Sequence, residues 1–169
     1  MNILLSGLPK SGKTTLIKNI AVELKSPIAG FFTSHILQEG RRVGFNLITF
    51  SGKSGILAHH NFPSAYRVGD YKVNLKDLEE IGVKEIEEAL ETDKIIIIDE
   101  IGKMEMFSKK FLAAVERALD SKNKVLATIV YTPHQQADKL KERKDVELIT
   151  VTQENREGLV DEIVKKLEG

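Results

Sequence analysis

The chain lacks cysteine and tryptophan, has no net charge and contains no long hydrophobic run. The absence of cysteine excludes disulfides, thiolate catalysis and cysteine-ligated zinc. Lysine and arginine together number 25, as do aspartate and glutamate, so no global positive field attracts nucleic acid, and we expect no strong nucleic-acid binding. No apolar stretch approaches the roughly 18 residues of a membrane span. We therefore expect a cytoplasmic protein that does not contact membranes.

The composition also bounds the size of the fold and indicates its source. The 169 residues, of which 41% are hydrophobic, can bury one full core, because domains run to roughly 100 to 200 residues. We predict a single domain over residues 1–169 and expect a monomer. Charged residues make up 30% of the chain and cysteine and tryptophan are absent, a composition typical of a thermophilic source.

Apolar strands alternate with amphipathic helices along most of the chain, which predicts a three-layer α/β sandwich around a mainly parallel sheet. The clearest strand is Lys94–Glu100 (KIIIIDE), whose uninterrupted apolar run is typical of a central parallel strand. Residues 28–60 differ, because short segments rich in β-branched and aromatic residues are joined by glycine-containing turns. This pattern predicts an antiparallel β meander. Residues 61–74 are expected to form a loop.

The nine residues Gly7–Thr15 (GLPKSGKTT) follow a short apolar strand and open a helical pattern. They match the phosphate-loop (P-loop) motif of glycine, four variable residues, glycine, lysine and then serine or threonine, in the required strand–loop–helix context. In this motif the lysine, here Lys13, reaches the β and γ phosphates, and the hydroxyl of Thr14 binds Mg²⁺. The predicted nucleotide-binding residues are Gly7, Leu8, Pro9, Lys10, Ser11, Gly12, Lys13, Thr14 and Thr15.

Two adjacent carboxylates, Asp99 and Glu100, end the apolar strand. Asp99 is where a phosphate-loop protein needs a second Mg²⁺ anchor, and Glu100 is placed to accept a proton from an attacking water. The pair indicates an additional-strand, RecA-like ATPase sheet. Lys124–Tyr131 is therefore predicted to lie between the strands that contain Ile3–Leu5 and Ile95–Asp99. An Asn-Lys-x-Asp guanine reader is absent, which disfavours a switch-type GTPase.

Four segments, GLPKSGKTT, GFFTSHILQEGRRVGF, YRVGDYKVNLKDLE and IIIIDEIGKMEMFSKKF, resemble the THEP1-type nucleoside triphosphatases in order and spacing. This is a group of small phosphate-loop enzymes related to the human cancer-related nucleoside triphosphatase. The most specific parts are the Arg41–Phe45 turn and Asp99–Glu105. One departure is Thr33–Gln38, where such proteins commonly carry an acidic and arginine-containing segment.

The resemblance implies an activity and a second nucleotide-binding segment. The activity is Mg²⁺-dependent hydrolysis of ATP, GTP, CTP and UTP to the diphosphate and phosphate, with little base preference. The second nucleotide-binding segment implied by the resemblance consists of Ile98, Asp99, Glu100, Ile101 and Gly102.

The mechanism that these residues indicate is in-line attack by water on the γ phosphorus. Glu100 would accept the proton and Lys13 would offset the developing negative charge. A further cation usually accelerates such a step. Lys103 is the first candidate because it follows the acidic pair across Gly102, and Arg67, in the expected loop, is the second. The other cations considered are Arg41, Arg42 and Arg156.

Two other functions fit the same motifs. A small kinase would move the γ phosphate to a nucleotide or metabolite, with Ile28–Asn74 as the acceptor region and Glu100 as the base for an acceptor hydroxyl. A nucleotide-gated binding module would instead use hydrolysis to time its association with a protein or RNA. Neutral net charge argues against strong non-specific RNA binding.

Overall fold

A computed structural model describes all residues from 1 to 169, and its strands form one nine-stranded sheet. In chain order the strands are β1 (Asn2–Ser6), β2 (Ile28–Gln38), β3 (Arg41–Thr49), β4 (Ser54–His59), β5 (Arg67–Val68), β6 (Tyr71–Val73), β7 (Ile95–Ile101), β8 (Val125–Ile129) and β9 (Val146–Thr150). Across the sheet their order is β5-β6-β4-β3-β2-β7-β8-β1-β9.

The α-helices are α1 (Lys13–Glu23), α2 (Leu75–Asp77), α3 (Lys84–Ala89), α4 (Lys109–Asp120), α5 (Gln135–Lys141) and α6 (Arg156–Glu168). A π-helical segment, Leu78–Val83, joins α2 to α3, and a 3₁₀ turn, Glu105–Phe107, precedes α4. None of the helices combines the length and hydrophobicity needed to cross a bilayer.

The five strands β2, β7, β8, β1 and β9 pair in parallel and form the centre of the sheet. Strand β8 lies between β7 and β1, as the acidic pair at the end of β7 led us to predict, and this strand order is confirmed. Parallel strands require cover on both faces, which explains why β1 and β8 are buried along their whole length.

Successive residues of the central strands pack into two separate cores. Ile3 and Leu5 belong to a cluster with helices α1 and α6, whereas Leu4 belongs to a cluster with α3, α4 and α5. Strand β7 divides in the same way, with Ile97 in the first cluster and Ile98 in the second. Each fully buried side chain of this size contributes about 1.5–3 kcal/mol relative to an exposed one. The predicted three-layer α/β arrangement is therefore confirmed.

Strand β2 is where the sheet changes from parallel to antiparallel pairing. Its residues 28–31 pair in parallel with β7, and its residues 31–38 pair antiparallel with β3, which in turn pairs with β4. The predicted meander over residues 28–60 is confirmed. The loop expected over residues 61–74 is wrong in part, because β5 and β6 form a small hairpin that pairs with β4. Strands of two and three residues are too short for a sequence alternation to reveal.

Candidate functional site

The loop Gly7–Gly12 connects the buried end of β1 to the first turn of α1. Gly12 is the N-cap of α1 and has φ 94° and ψ 22°, a left-handed conformation that glycine adopts without steric cost. No side chain caps this helix. The backbone N–H groups of the first turn, together with the positive end of the helix dipole, therefore form a ready anion site.

Lys13 folds its side chain back over this loop. Its Nζ donates hydrogen bonds to the carbonyl oxygens of Gly7 at 2.6 Å and Leu8 at 3.2 Å. Burial lowers the pKa of Lys13, and the nearby carboxylates of Glu100 and Asp99 oppose that change. The ammonium group thus lies between the phosphate loop and the acidic end of β7. Phosphate oxygens are stronger acceptors for an ammonium group than neutral carbonyls are.

A β-bulge in β7 contains Asp99 and Glu100. Between Ile98 and Ile101, β7 supplies two residues where β8 supplies only Thr128. Neighbouring residues of a regular strand point to opposite faces, but a bulge changes the direction of one side chain. Both carboxylates consequently line the same cavity. The peptide bond that joins them is cis.

Asp99 is only 2% exposed. Its Oδ1 accepts a 2.7 Å hydrogen bond from the hydroxyl of Thr128, whereas its Oδ2 has no hydrogen-bond partner in the protein. Burial raises the pKa of Asp99, and the hydroxyl groups of Thr128 and Thr14, followed by the charges of Lys18 and Lys13, oppose that rise. An unpartnered buried carboxylate oxygen is costly, and a hydrated cation would satisfy it.

The oxygen atoms of Thr14 and Asp99 fit the preference of Mg²⁺ for hard ligands and retained water. The chain contains no cluster of three or more His, Cys, Asp or Glu residues that could hold a metal ion. A cation at Thr14 and Asp99 would therefore complete its coordination with water and phosphate oxygens.

Glu100 is half-buried, and its side chain lies directly over Gly102. A Cβ atom added at Gly102 would lie 2.5 Å from Oε1 of Glu100, so only glycine leaves room for this conformation. Burial raises the pKa of Glu100, the Asp99 charge raises it further, and Lys13 opposes the rise. A raised pKa makes a carboxylate a stronger base, which suits it to accept a proton during a reaction.

Two further residues beside the acidic pair were not identified as functional from the sequence. Thr128 holds Asp99, and Glu105 is 3% exposed with an unpartnered Oε2. Burial raises the pKa of Glu105 well above its usual range, and the Glu100 charge adds to the effect. The only feature of the sequence that could have identified Glu105 as functional was its place in the motif Asp99–Glu105, and no feature of the sequence pointed to Thr128.

These groups line one cavity of about 640 Å³. It brings together both predicted nucleotide-binding segments and one face of the antiparallel meander. The lining residues are Pro9, Lys10, Gly12, Lys13, Thr14, Thr15, Thr33, His35, Arg42, Phe45, Leu57, Val68, Asp99, Glu100, Lys103, Met104, Glu105 and Val130.

The two predicted extra cations have different places. Lys103 lines the cavity, whereas Arg67 is exposed and does not, since its neighbour Val68 lies there instead. Several predicted binding residues do not line the cavity. They are Gly7, Leu8, Ser11, Ile98, Ile101 and Gly102.

A second cleft of about 350 Å³ lies between α1 and α6. Thr15 lines both this cleft and the larger cavity. Arg156 also lines the cleft, and its Nη1 lies 2.6 Å from the place that a Cβ on Gly12 would occupy. The guanidinium group therefore covers the side of the phosphate loop that faces the cleft. The other lining residues are Leu16, Asn19, Glu157 and Val160.

Comparisons with known proteins agree on one group. A family model described as NTPase matches residues 2–164. The chain is 47% identical to the nucleoside-triphosphatase THEP1 of Thermotoga sp. strain RQ2, covering 99% of this chain and 95% of that protein. It superposes on the crystal structure of THEP1 from the hyperthermophile Aquifex aeolicus with a TM-score of 0.90 at 39% identity, over 100% of both chains. The solution structure of a human cancer-related nucleoside triphosphatase gives a TM-score of 0.84 at 34% identity, over 98% and 96% of the chains.

Proposed function

Since the chain belongs to the NTPase family and is a nucleoside triphosphatase of the THEP1 type, we propose that it performs Mg²⁺-dependent hydrolysis of nucleoside triphosphates in the 640 Å³ cavity. Membership of the NTPase family confirms the resemblance indicated by the motifs, and this family implies a divalent metal cofactor. The observation that carries the proposal is the convergence of the phosphate loop with Asp99 and Glu100 on one cavity.

The reaction that this geometry supports is attack by a water molecule on the γ phosphorus. The water oxygen forms a bond to phosphorus, the bond to the β–γ bridging oxygen breaks, and the diphosphate leaves. Glu100 accepts the proton of the attacking water, for which its raised pKa is favourable. Lys13 exchanges its carbonyl partners for phosphate oxygens and offsets the charge that moves toward the leaving group.

Thr14 and Asp99 are the residues that would hold Mg²⁺. The ion would neutralise phosphate charge when bound. Asp99 needs no rearrangement for this role, since Thr128 already fixes one of its oxygens and leaves the other free.

Lys103, which lines the same cavity, is the favoured extra cation. The position of β8 between β7 and β1 supports assignment to the additional-strand, RecA-like class, and the continuous sheet supports a single domain over residues 1–169.

The cleft between α1 and α6 is the place that we propose for the nucleoside. It adjoins the phosphate site at Thr15, so that a bound phosphate chain can continue into it. A guanidinium plane such as that of Arg156 can stack on any base. Because stacking does not distinguish bases, we expect little selectivity among ATP, GTP, CTP and UTP.

Arg156→Ala should raise KM for all four nucleotides by a similar factor, about tenfold. A rise in KM confined to one base would contradict this role.

The experiment that tests the proposed function measures phosphate release from ATP, GTP, CTP and UTP with Mg²⁺. It compares the native chain with Glu100→Gln and with Glu142→Gln, a matched control at an exposed carboxylate outside the cavity. We expect all four to be hydrolysed, with kcat reduced roughly 100- to 10,000-fold in Glu100→Gln and unchanged in the control. Calorimetry should show that Glu100→Gln still binds nucleotide. Near-native turnover by that variant would reject Glu100 as the base.

A further inference from the structure

The large cavity has a wall that hydrolysis does not use. The phosphate loop and the acidic pair form one side, while the other side is built by the antiparallel part of the sheet, from β2, β3 and the β5–β6 hairpin. That wall presents Thr33, His35, Arg42, Phe45 and Val68 to the cavity. A water nucleophile needs none of these side chains. The total volume, about 640 Å³, falls in the range of pockets that hold whole small molecules.

Arg42 is the distinctive group of this wall, because its position is fixed while its charge is unpaired. Its Nε donates a 2.8 Å hydrogen bond to the hydroxyl of Tyr71. Its guanidinium carbon lies 5.1 Å from the centre of the Phe45 ring and 5.3 Å from that of Tyr71. No carboxylate of the chain lies within ion-pair distance of it. Arg143, by contrast, binds two carboxylates.

An arginine held in this way is suited to bind a phosphate. Two aromatic rings and one hydrogen bond restrict the side chain, so little conformational entropy is lost on binding. The terminal N–H groups of Arg42 make no hydrogen bond within the chain, which leaves its two-pronged end free for phosphate oxygens. Lys103, on the same cavity, adds a second positive charge.

The wall also offers an aromatic surface. His35 is exposed, lines the cavity and stands edge-on to Phe45, with their ring centres 5.5 Å apart. Any nucleobase can stack on such rings, because every base has a π-face. One wall therefore combines a fixed cation for a phosphate with a ring surface for a base.

We propose that this wall is an acceptor site for a nucleoside monophosphate, so that the protein also transfers the γ phosphoryl group between nucleotides. An oxygen of the monophosphate attacks the γ phosphorus, the bond to the β–γ bridging oxygen breaks, and two nucleoside diphosphates result. The acceptor phosphate is already ionised, so no proton has to be removed. Arg42 holds the acceptor phosphate, and water replaces the acceptor when the wall is empty. The inference rests on the same phosphate-loop site as the proposed hydrolysis.

The test incubates the native chain with Mg²⁺ and ATP labelled at the γ phosphate, with AMP, GMP, CMP or UMP added separately. Chromatography then measures label in nucleoside diphosphate and label in inorganic phosphate in the same sample. We expect labelled diphosphate with at least one monophosphate. Label in inorganic phosphate alone, with all four, would overturn the acceptor site and leave the hydrolase proposal standing. Label in diphosphate without any phosphate release would support the acceptor site and remove the hydrolase proposal.

The ratio of transfer to hydrolysis isolates the role of Arg42 from any loss of folded protein, because both products form in one sample. Arg42→Gln should lower this ratio at least tenfold, and Arg42→Lys should lower it less. Arg41→Gln is the matched control, since Arg41 is the exposed neighbour that does not line the cavity, and it should leave the ratio unchanged. An unchanged ratio in Arg42→Gln, or an equal fall in Arg41→Gln, would overturn the assignment.

Discussion

Gly102→Ala should separate nucleotide binding from turnover, because the three atoms that the added methyl group would approach most closely all belong to the proposed base. The new Cβ would lie 2.5 Å from Oε1 of Glu100, 3.0 Å from its Cγ and 3.1 Å from its Cδ. Ordinary contacts between such atoms are about 3.5 Å, so the carboxylate must move by roughly 1 Å. A displacement of this size in a catalytic group costs roughly 100-fold in rate, which is about 2.7 kcal/mol of transition-state stabilisation.

The assay is steady-state phosphate release, with nucleotide affinity measured by calorimetry and folding by thermal unfolding. Gly158→Ala is the matched control, because a Cβ at this position in α6 meets no atom within 4 Å and an alanine there should stabilise the helix by about 1 kcal/mol. We expect kcat to fall in Gly102→Ala alone, with similar nucleotide affinity in both variants. If Gly102→Ala turns over within about twofold of the native chain, the position of Glu100 over Gly102 does not matter for the reaction.

Three smaller predictions concern buried polar groups. The pKa of Glu105 is raised in the folded protein. The stability that this group confers is therefore complete below its pKa in the unfolded chain, near 4.5, and is lost as pH rises through its pKa in the folded protein. Glu105→Gln should therefore become increasingly stable relative to the native chain above that pH in urea titrations, and a constant difference would contradict this. Thr128→Val removes the hydroxyl that donates to Asp99, so denaturant unfolding should show a loss of about 1–3 kcal/mol; an unchanged midpoint would argue that the bond is weak. Ser108→Ala removes the N-cap of α4 and should cost about 1 kcal/mol in the same measurement without altering kcat, whereas reduced turnover would mean that α4 affects the cavity.

The parts of the molecule that sequence reasoning found are those with local signals. The phosphate loop is contiguous and flanked by a strand and a helix, so Gly7–Thr15 could be assigned as a unit. The apolar run of β7 predicted its central place, and the acidic pair at its end predicted that β8 lies beside it. Each of these inferences depends on residues within a single short segment.

The parts that sequence reasoning missed depend on contacts between distant segments. The burial of Glu105 results from packing around the 3₁₀ turn, and the fixed position of Arg42 depends on Tyr71, 29 residues away. The β5–β6 hairpin, placed in a loop by its sequence, brings Val68 rather than Arg67 to the cavity. No periodicity in one segment encodes such pairings, because their energies arise only when the sheet has formed.

The acidic pair shows why a regular strand could not supply this site. In an unbroken β7, Asp99 and Glu100 would point to opposite faces of the sheet, and one of them would face a helix layer. The bulge opposite Thr128 directs both into the cavity, and it places the half-buried carboxylate of Glu100 beside the buried carboxylate of Asp99. Burial and the neighbouring Asp99 charge raise the pKa of Glu100, and the positive charge of Lys13 opposes that rise. The hydrogen bond from the hydroxyl of Thr128 opposes the rise in the pKa of Asp99. The bulge therefore brings two like charges close together. The same bulge leaves Asp99 with a free oxygen for a cation and gives Glu100 the basicity to accept a proton.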